Sequence, residues 1–206
     1  MKYINWFLIV FLLWSVFAVA RGIARSKYIS EKNTRDFWDK ESKANQVRKA
    51  DISKLAYLAL DLSLLPMNAL IPNLSHRAQE LEKLATEKII NLSMYTNTEL
   101  KLMYGPANLE ALSYYDGNYL QLIRLLNSIG RELIELGNVS AATEFLSYSL
   151  SIGSDISETF TLLAEIYKSK GRDNDIDLLI QVAERLETIN KATIINKLNN
   201  IKSTLK

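Results

Sequence analysis

From Ile4 to Ala20 the chain carries no charged side chain, and only Asn5 and Ser15 are polar. A helix of that length rises about 25 Å, against about 30 Å of bilayer hydrocarbon, so the segment sits at the short limit of a transmembrane span. A core helix of a soluble domain would show a polar face, and this segment has none. Tyr3 and Trp6 lie near one end, where amphipathic rings prefer the membrane interface. Residues 1–22 are therefore expected to form a membrane anchor. Ala18-Val19-Ala20 also fits the small-x-small pattern of a signal-peptidase site. Without a Gly or Pro break before it, and with Phe17 adjoining, retention is the expectation and a cleaved, secreted form the alternative. Arg21, Arg25 and Lys27, followed by Lys32 and Arg35, crowd the C-terminal flank, against Lys2 and the amino group on the other side. The positive-inside rule then keeps the remaining chain in the cytoplasm. The Ala-x-Ala reading points to an extracytoplasmic domain instead.

The other residues must build a fold without cysteine chemistry, because the 206-residue sequence has no Cys. Disulfide scaffolds, thiolate zinc sites and thiol nucleophiles are excluded. Lys and Arg number 25 against 23 Asp and Glu, and both signs alternate along the chain. A nucleic-acid binder would concentrate its cations on one stripe, so nucleic acid is not an expected partner. Seven Gly, three Pro and an abundance of Leu, Ile, Ala, Glu, Lys and Asn read as all-α. No strand pattern or βαβ alternation is present.

Residues 23–74 read as a juxtamembrane helix and an irregular segment. Glu31/Arg35, Asp36/Lys40 and Asp39/Lys43 are opposite charges at i,i+4, which predicts a solvated helix from Ser30 to about Asp51, with Phe37 and Trp38 as its main apolar residues. Asp51 to Pro72 is apolar but aperiodic, with Pro66 and Pro72 interrupting it. Ser75 is a predicted N-cap for a helix from His76 to Leu92, whose Ala78, Leu81, Ala85, Ile89 and Leu92 share one face. A shorter helix from Thr98 should stop at Gly105-Pro106. Another from Asn108 to Tyr115 should end in the turn Asp116-Gly117-Asn118.

From Tyr119 onward the sequence echoes itself. Gly137 and Gly171 lie thirty-four residues apart, and at that offset Leu126 pairs with Phe160, Ile129-Gly130 with Leu163-Ala164, Leu133 with Tyr167, and Leu146 with Ile180. With units at 123–156 and 157–190, small residues recur at position 8 (Gly130, Ala164) and at position 27 (Ser149, Ala183). Position 20 holds Ala142 and then Ile176. Each glycine falls where a left-handed residue would close a helix. Asp155 and Glu158 have capping-box spacing. Ile194, Ile195, Leu198 and Ile201 form one stripe on a polar helix over 191–204, as a terminal capping helix requires. The period and small positions resemble the tetratricopeptide repeat. The family's proline at position 32 is replaced by Ser154 and Thr188, and only two units match. An αα-hairpin bundle with a coincidental echo is the plain alternative. Glu41 through Arg48, Asp51-Ile52-Ser53 and Leu65-Pro66 also resemble a stretch found in small membrane-anchored repeat proteins of Clostridia-type bacteria. That likeness implies an origin and no activity.

The tetratricopeptide resemblance implies a helical-hairpin array over 75–206, with a concave face that holds another polypeptide. Carried onto this sequence, the concave positions are Arg124, Asn127, Arg131 and Ile134, then Glu158, Thr161, Glu165 and Lys168. Two basic residues followed by two acidic ones would suit a peptide or helix of mixed charge. The family's carboxylate-clamp pattern is not reproduced. The expected role is a membrane-tethered adaptor, with an accessory chaperone or assembly factor of an export or envelope machine as the alternative.

Catalytic chemistry is not expected. The single histidine, His76, lacks a positioned partner in the sequence. Asp173-Asn174-Asp175-Ile176-Asp177 with Glu184 mimics half of an EF-hand loop, but Leu178 stands where the loop needs Gly. No metal, cofactor or small-molecule substrate is therefore expected. Asn73, Asn91 and Asn138 each begin an Asn-x-Ser sequon, to which no weight is given.

Overall fold

The computed structural model describes residues 2–203. The side chains of residues 2–5 and Leu8 fall outside that description, so the interfacial placing of Tyr3 and the last residue of the 191–204 helix do too. The described chain is all-helical: α1 Lys2–Asn45, α2 Ser75–Ala85, α3 Asn97–Tyr104, α4 Leu109–Glu135, α5 Val139–Ser151, α6 Ser157–Ser169, α7 Asp173–Glu184 and α8 Lys191–Ser203. Short 3-10 turns occupy Leu62–Leu64, Met67–Leu70 and Pro106–Asn108. The chain divides into two compact units. One holds the chain through Asp51 together with Thr96–Leu109, and the other holds Ile52–Tyr95 and the chain from Glu110 onward.

In the first unit α1 runs without interruption from the apolar segment into the polar one, 44 residues in all. Such a helix is about 66 Å long. It is long and apolar enough to cross a membrane, and its apolar window buries nothing inside the protein. None of the i,i+4 pairs expected at Glu31/Arg35, Asp36/Lys40 and Asp39/Lys43 forms among the described residues. Lys27 instead reaches Glu31 at 3.9 Å, and Lys40 reaches Glu99 at 3.7 Å. The end of α1 packs on α3. Glu41 accepts from Thr98 Oγ1 at 2.8 Å and is ion-paired with Lys101. Those contacts hold the Glu41 carboxyl below its ordinary range, the Lys101 bond first. Thr96 caps α3 in a reciprocal box with Glu99, which satisfies two otherwise unpaired donors.

The second unit has two apolar clusters that share α5. Phe145 faces the first, with Leu81 and Leu84 of α2, Leu122, Leu126 and Ile129 of α4, and Leu65 and Leu70 of the irregular segment. Its neighbour Leu146 faces the second, with Phe160 and Leu163 of α6, Ile176 and Leu179 of α7, and Ile194 and Leu198 of α8. Phe145 and Phe160 are fully buried. Truncating either to Ala would cost about 3–5 kcal/mol.

Three local expectations are corrected. Helix α2 ends at Ala85, not Leu92. Ile89 and Leu92 are buried nonetheless, because residues 88–92 run alongside α4 and the segment before α2. Leu58 N–H donates to Ile89 O at 2.8 Å, and Leu92 N–H donates to Asp116 Oδ1 at 2.8 Å. The expected turn at Asp116-Gly117-Asn118 lies inside α4. Asp116 and Asn118 instead satisfy the backbone of 88–92, Asn118 Nδ2 donating to Lys88 O at 3.0 Å. Neither predicted cap holds. Leu74 is the N-cap of α2, and Ser75 Oγ donates back to Pro72 O. Ile156 caps α6 with no side-chain bond, and Glu158 turns elsewhere.

Helices α4 and α6 close alike. At the first, Gly137 has φ +80°, its N–H meets Ile134 O at 2.9 Å, and Asn138 N–H meets Leu133 O at 2.8 Å. Thirty-four residues on, Gly171 has φ +68°, its N–H meets Lys168 O at 3.0 Å, and Arg172 N–H meets Tyr167 O at 2.9 Å. A left-handed glycine with a six-to-one bond satisfies carbonyls that a helix end would otherwise leave unpaired. After the first closure, Asn138 caps α5 by accepting from Ala141 N–H at 3.3 Å.

Candidate functional site

The residues expected on a concave face divide into three sets. The first is a knot between α4 and α6. Asn127, buried among the polar side chains, donates through Nδ2 to Glu158 Oε2 at 2.6 Å and accepts from Thr159 Oγ1 at 2.9 Å. Arg131 Nη1 approaches the other Glu158 oxygen at 3.4 Å. Thr159 is completely buried, so its hydroxyl requires a partner inside the protein. Asn127 provides it. The arrangement spends these side chains on one another.

A second set faces its own helix or the chain's end. Thr161 Oγ1 donates to Glu158 O at 3.0 Å, within one turn of α6. Lys168 donates to Lys202 O of α8 at 2.8 Å and lies 3.4 Å from Asp173. Ile134 is half-buried against both apolar clusters. The third set is open: Arg124 on α4 and Glu165 on α6 are exposed.

Arg124 borders a groove of about 360 Å³ between α2 and α4, lined also by Arg77, Glu80, Gly117, Gln121, Leu125 and Ser128. Arg77, in its lining, belongs to an ion pair of long sequence separation. Arg77 Nη2 donates to Glu132 Oε1 at 2.7 Å and to Ser128 Oγ at 3.2 Å. Ser128 Oγ also donates to Glu132 Oε1 at 2.8 Å. The Arg77 bond, foremost, holds the Glu132 carboxyl below the usual carboxylate range, and the Glu132 bond raises the Arg77 guanidinium above its own. The groove thus presents the Arg77 guanidinium shared between Glu132 and Glu80, the exposed Arg124 guanidinium, and the neutral hydrogen-bonding side chains of Gln121 and Ser128. Its open cation is Arg124, so it can hold a polar chain that carries an anionic group there.

Sequence reading did not single out Arg77, Ser128, Glu132 or Thr159. Arg77 and Glu132 are fifty-five residues apart, and no local spacing signals such a pair. Asp173, Asp175 and Asp177, the EF-hand mimic, each meet a basic side chain: Lys168, Arg172 and Lys202. No family model, no curated protein and no solved structure matches this chain.

Proposed function

We propose that the chain is a helical-repeat docking module, of the kind in which stacked hairpins present a face to another polypeptide. More particularly, it is a membrane-tethered adaptor: the apolar half of α1 spans the bilayer, and α4 to α8 form a short tetratricopeptide-like array. What supports the repeat is spacing: Gly137, Gly153 and Gly171 all close helices with the same left-handed turn and bond pair, and the first and third stand thirty-four residues apart. What supports the anchor is an α1 whose apolar residues find no cover within the protein: Phe11, Leu13, Trp14 and Phe17 are each more than 60% exposed. Burying such a surface in hydrocarbon is worth roughly 25 cal/mol per Å².

The partner-facing residues in this reading are Arg124 and Glu165, with Gln121 at the groove beside Arg124. The knot at Asn127, Arg131 and Glu158 sets their spacing. Tethering raises the local concentration of a membrane-associated partner, so a shallow groove suffices. The soluble part lies on the side of Arg21, Arg25 and Lys27, the cytoplasmic side by charge.

A photoreactive residue placed at 124 or at 165 in the full chain, in its own membranes, tests the site. One discrete adduct from either position, the adduct at 165 lost on Arg124→Glu, and none with the probe at exposed Leu178, is the expected result. A spread of many adducts replaces the adaptor with the chaperone alternative. Equal adducts from all three positions remove the site.

A further inference from the structure

The ten residues after the apolar segment, Arg21 to Ser30, contain Arg21, Arg25 and Lys27 and no carboxylate. All ten are exposed. They continue the same helix, so their side chains have set directions. At 100° per residue Arg21, Arg25, Tyr28 and Lys32 fall within about 60° of one another. Lys27 points to another side, where Glu31 is its nearest charge, at 3.9 Å. Glu31 is the first acidic residue of the chain, and beyond it both signs alternate.

The axial rise from Arg21 to Lys27 is about 9 Å. The headgroup layer on each side of the hydrocarbon is roughly 5–8 Å deep, and long basic side chains reach further along it. The three cations therefore span a depth close to that layer's, and Tyr28, 67% exposed, is an aromatic ring of the sort that settles at its outer edge. Guanidinium groups accept phosphate in a two-pronged fashion. A zwitterionic headgroup brings its own cation beside each phosphate and an anionic one does not. Two arginines without a carboxylate beside them, and Lys27 whose one acidic neighbour is the exposed Glu31 at 3.9 Å, consequently discriminate between the two.

We propose that Arg21, Arg25 and Lys27, with Tyr28, form a collar that selects anionic phospholipid headgroups around the emerging helix. This rests on the reading of α1 as a membrane span, and the test separates the two. The full chain is reconstituted in phosphatidylcholine vesicles containing spin-labelled phosphatidylcholine or spin-labelled phosphatidylglycerol, and the motionally restricted fraction of each label is compared. The expected result at low salt is a preference for phosphatidylglycerol of roughly five-fold, the scale set by one cation near an anionic membrane. It should fall towards one at about 1 M salt, where screening acts within about 3 Å. It should fall likewise in the triple variant Arg21→Gln/Arg25→Gln/Lys27→Gln. The control Lys83→Gln/Lys170→Gln should keep it. Equal preference in wild type and triple variant, or an equal loss in the control, overturns the collar while leaving the span intact. An absence of restricted signal from either label overturns the span itself.

Discussion

Gly130 on α4 lies so close to Leu146 on α5 that a β-carbon on the glycine would stand 2.5 Å from the leucine Cγ and Cδ2. Leu146 is fully buried and cannot yield without disturbing the second apolar cluster. Gly130→Ala gains about 1 kcal/mol of helix propensity and loses about 1–3 kcal/mol to overpacking. The expected net effect is a destabilisation of about 1 kcal/mol, read from urea unfolding of the full chain in detergent. In a Leu146→Ala background the same change should be neutral or stabilising. Identical effects in both backgrounds would refute the close fit.

Removing Asn127 strands a buried hydroxyl. Asn127→Ala leaves Thr159 Oγ1 without its acceptor and deprives Glu158 of its shortest contact. A loss of about 1–3 kcal/mol is expected. Adding Thr159→Val removes the orphan and should recover part of that loss. If Thr159→Val recovers nothing, the hydroxyl is satisfied in some other way.

The Arg77–Glu132 pair makes the second unit sensitive to acid. Folding lowers the Glu132 pKa, so the stabilisation is present above the unfolded carboxylate value, near 4.3, and is lost as pH falls through the lower folded one. Both side chains keep some solvent contact, so the discounted effect is about 1 kcal/mol. Glu132→Gln should lower stability at neutral pH and flatten the decline below about pH 4.5. A variant with the wild-type acid slope would assign that slope to other carboxylates.

At the alkaline end Tyr119 acts with the opposite sign. Burial, with help from Asp155 and Asp116, pushes its phenol up to about 12. The unfolded chain then loses this proton first, and stability falls between about pH 10 and pH 12, by about 2 kcal/mol. Tyr119→Phe gives up the bond to Ile152 O at 3.3 Å but should lose less stability over that interval. Parallel wild-type and variant curves would mean the phenol titrates normally.

The sequence exposed the helical character of the chain and its long apolar start, because both depend on runs of residues along a single element. The paired positions of Gly137 and Gly171 were equally visible, since a left-handed closure leaves a glycine whatever surrounds it. What failed depended on distant partners. Asp116-Gly117-Asn118 has turn composition, yet its polar groups serve residues 88–92 from within α4. Ile89 and Leu92 were recognised as core residues and assigned to the wrong backbone, because burial alone does not distinguish a helix from an extended segment. The buried Ile89-Ile90 pair, β-branched and just beyond Thr86, was the one local hint of extended chain. In the candidate site the open residues Arg124 and Glu165 are ones that the tetratricopeptide resemblance implies. The knot that constrains them is not so implied, because Thr159 enters it as a core residue, not as a concave one.

The unbroken course of α1 gives its apolar half a mechanical link to the polar one. A helix resists twisting far more than a jointed linker does, so its two halves turn together. Shifting the contacts of the apolar half by one residue would swing the Glu41 face by about 100°. The Lys101 and Thr98 bonds to Glu41 would carry that rotation into α3. Contacts made along the apolar half and the orientation of α3 are in this way coupled along a single shaft.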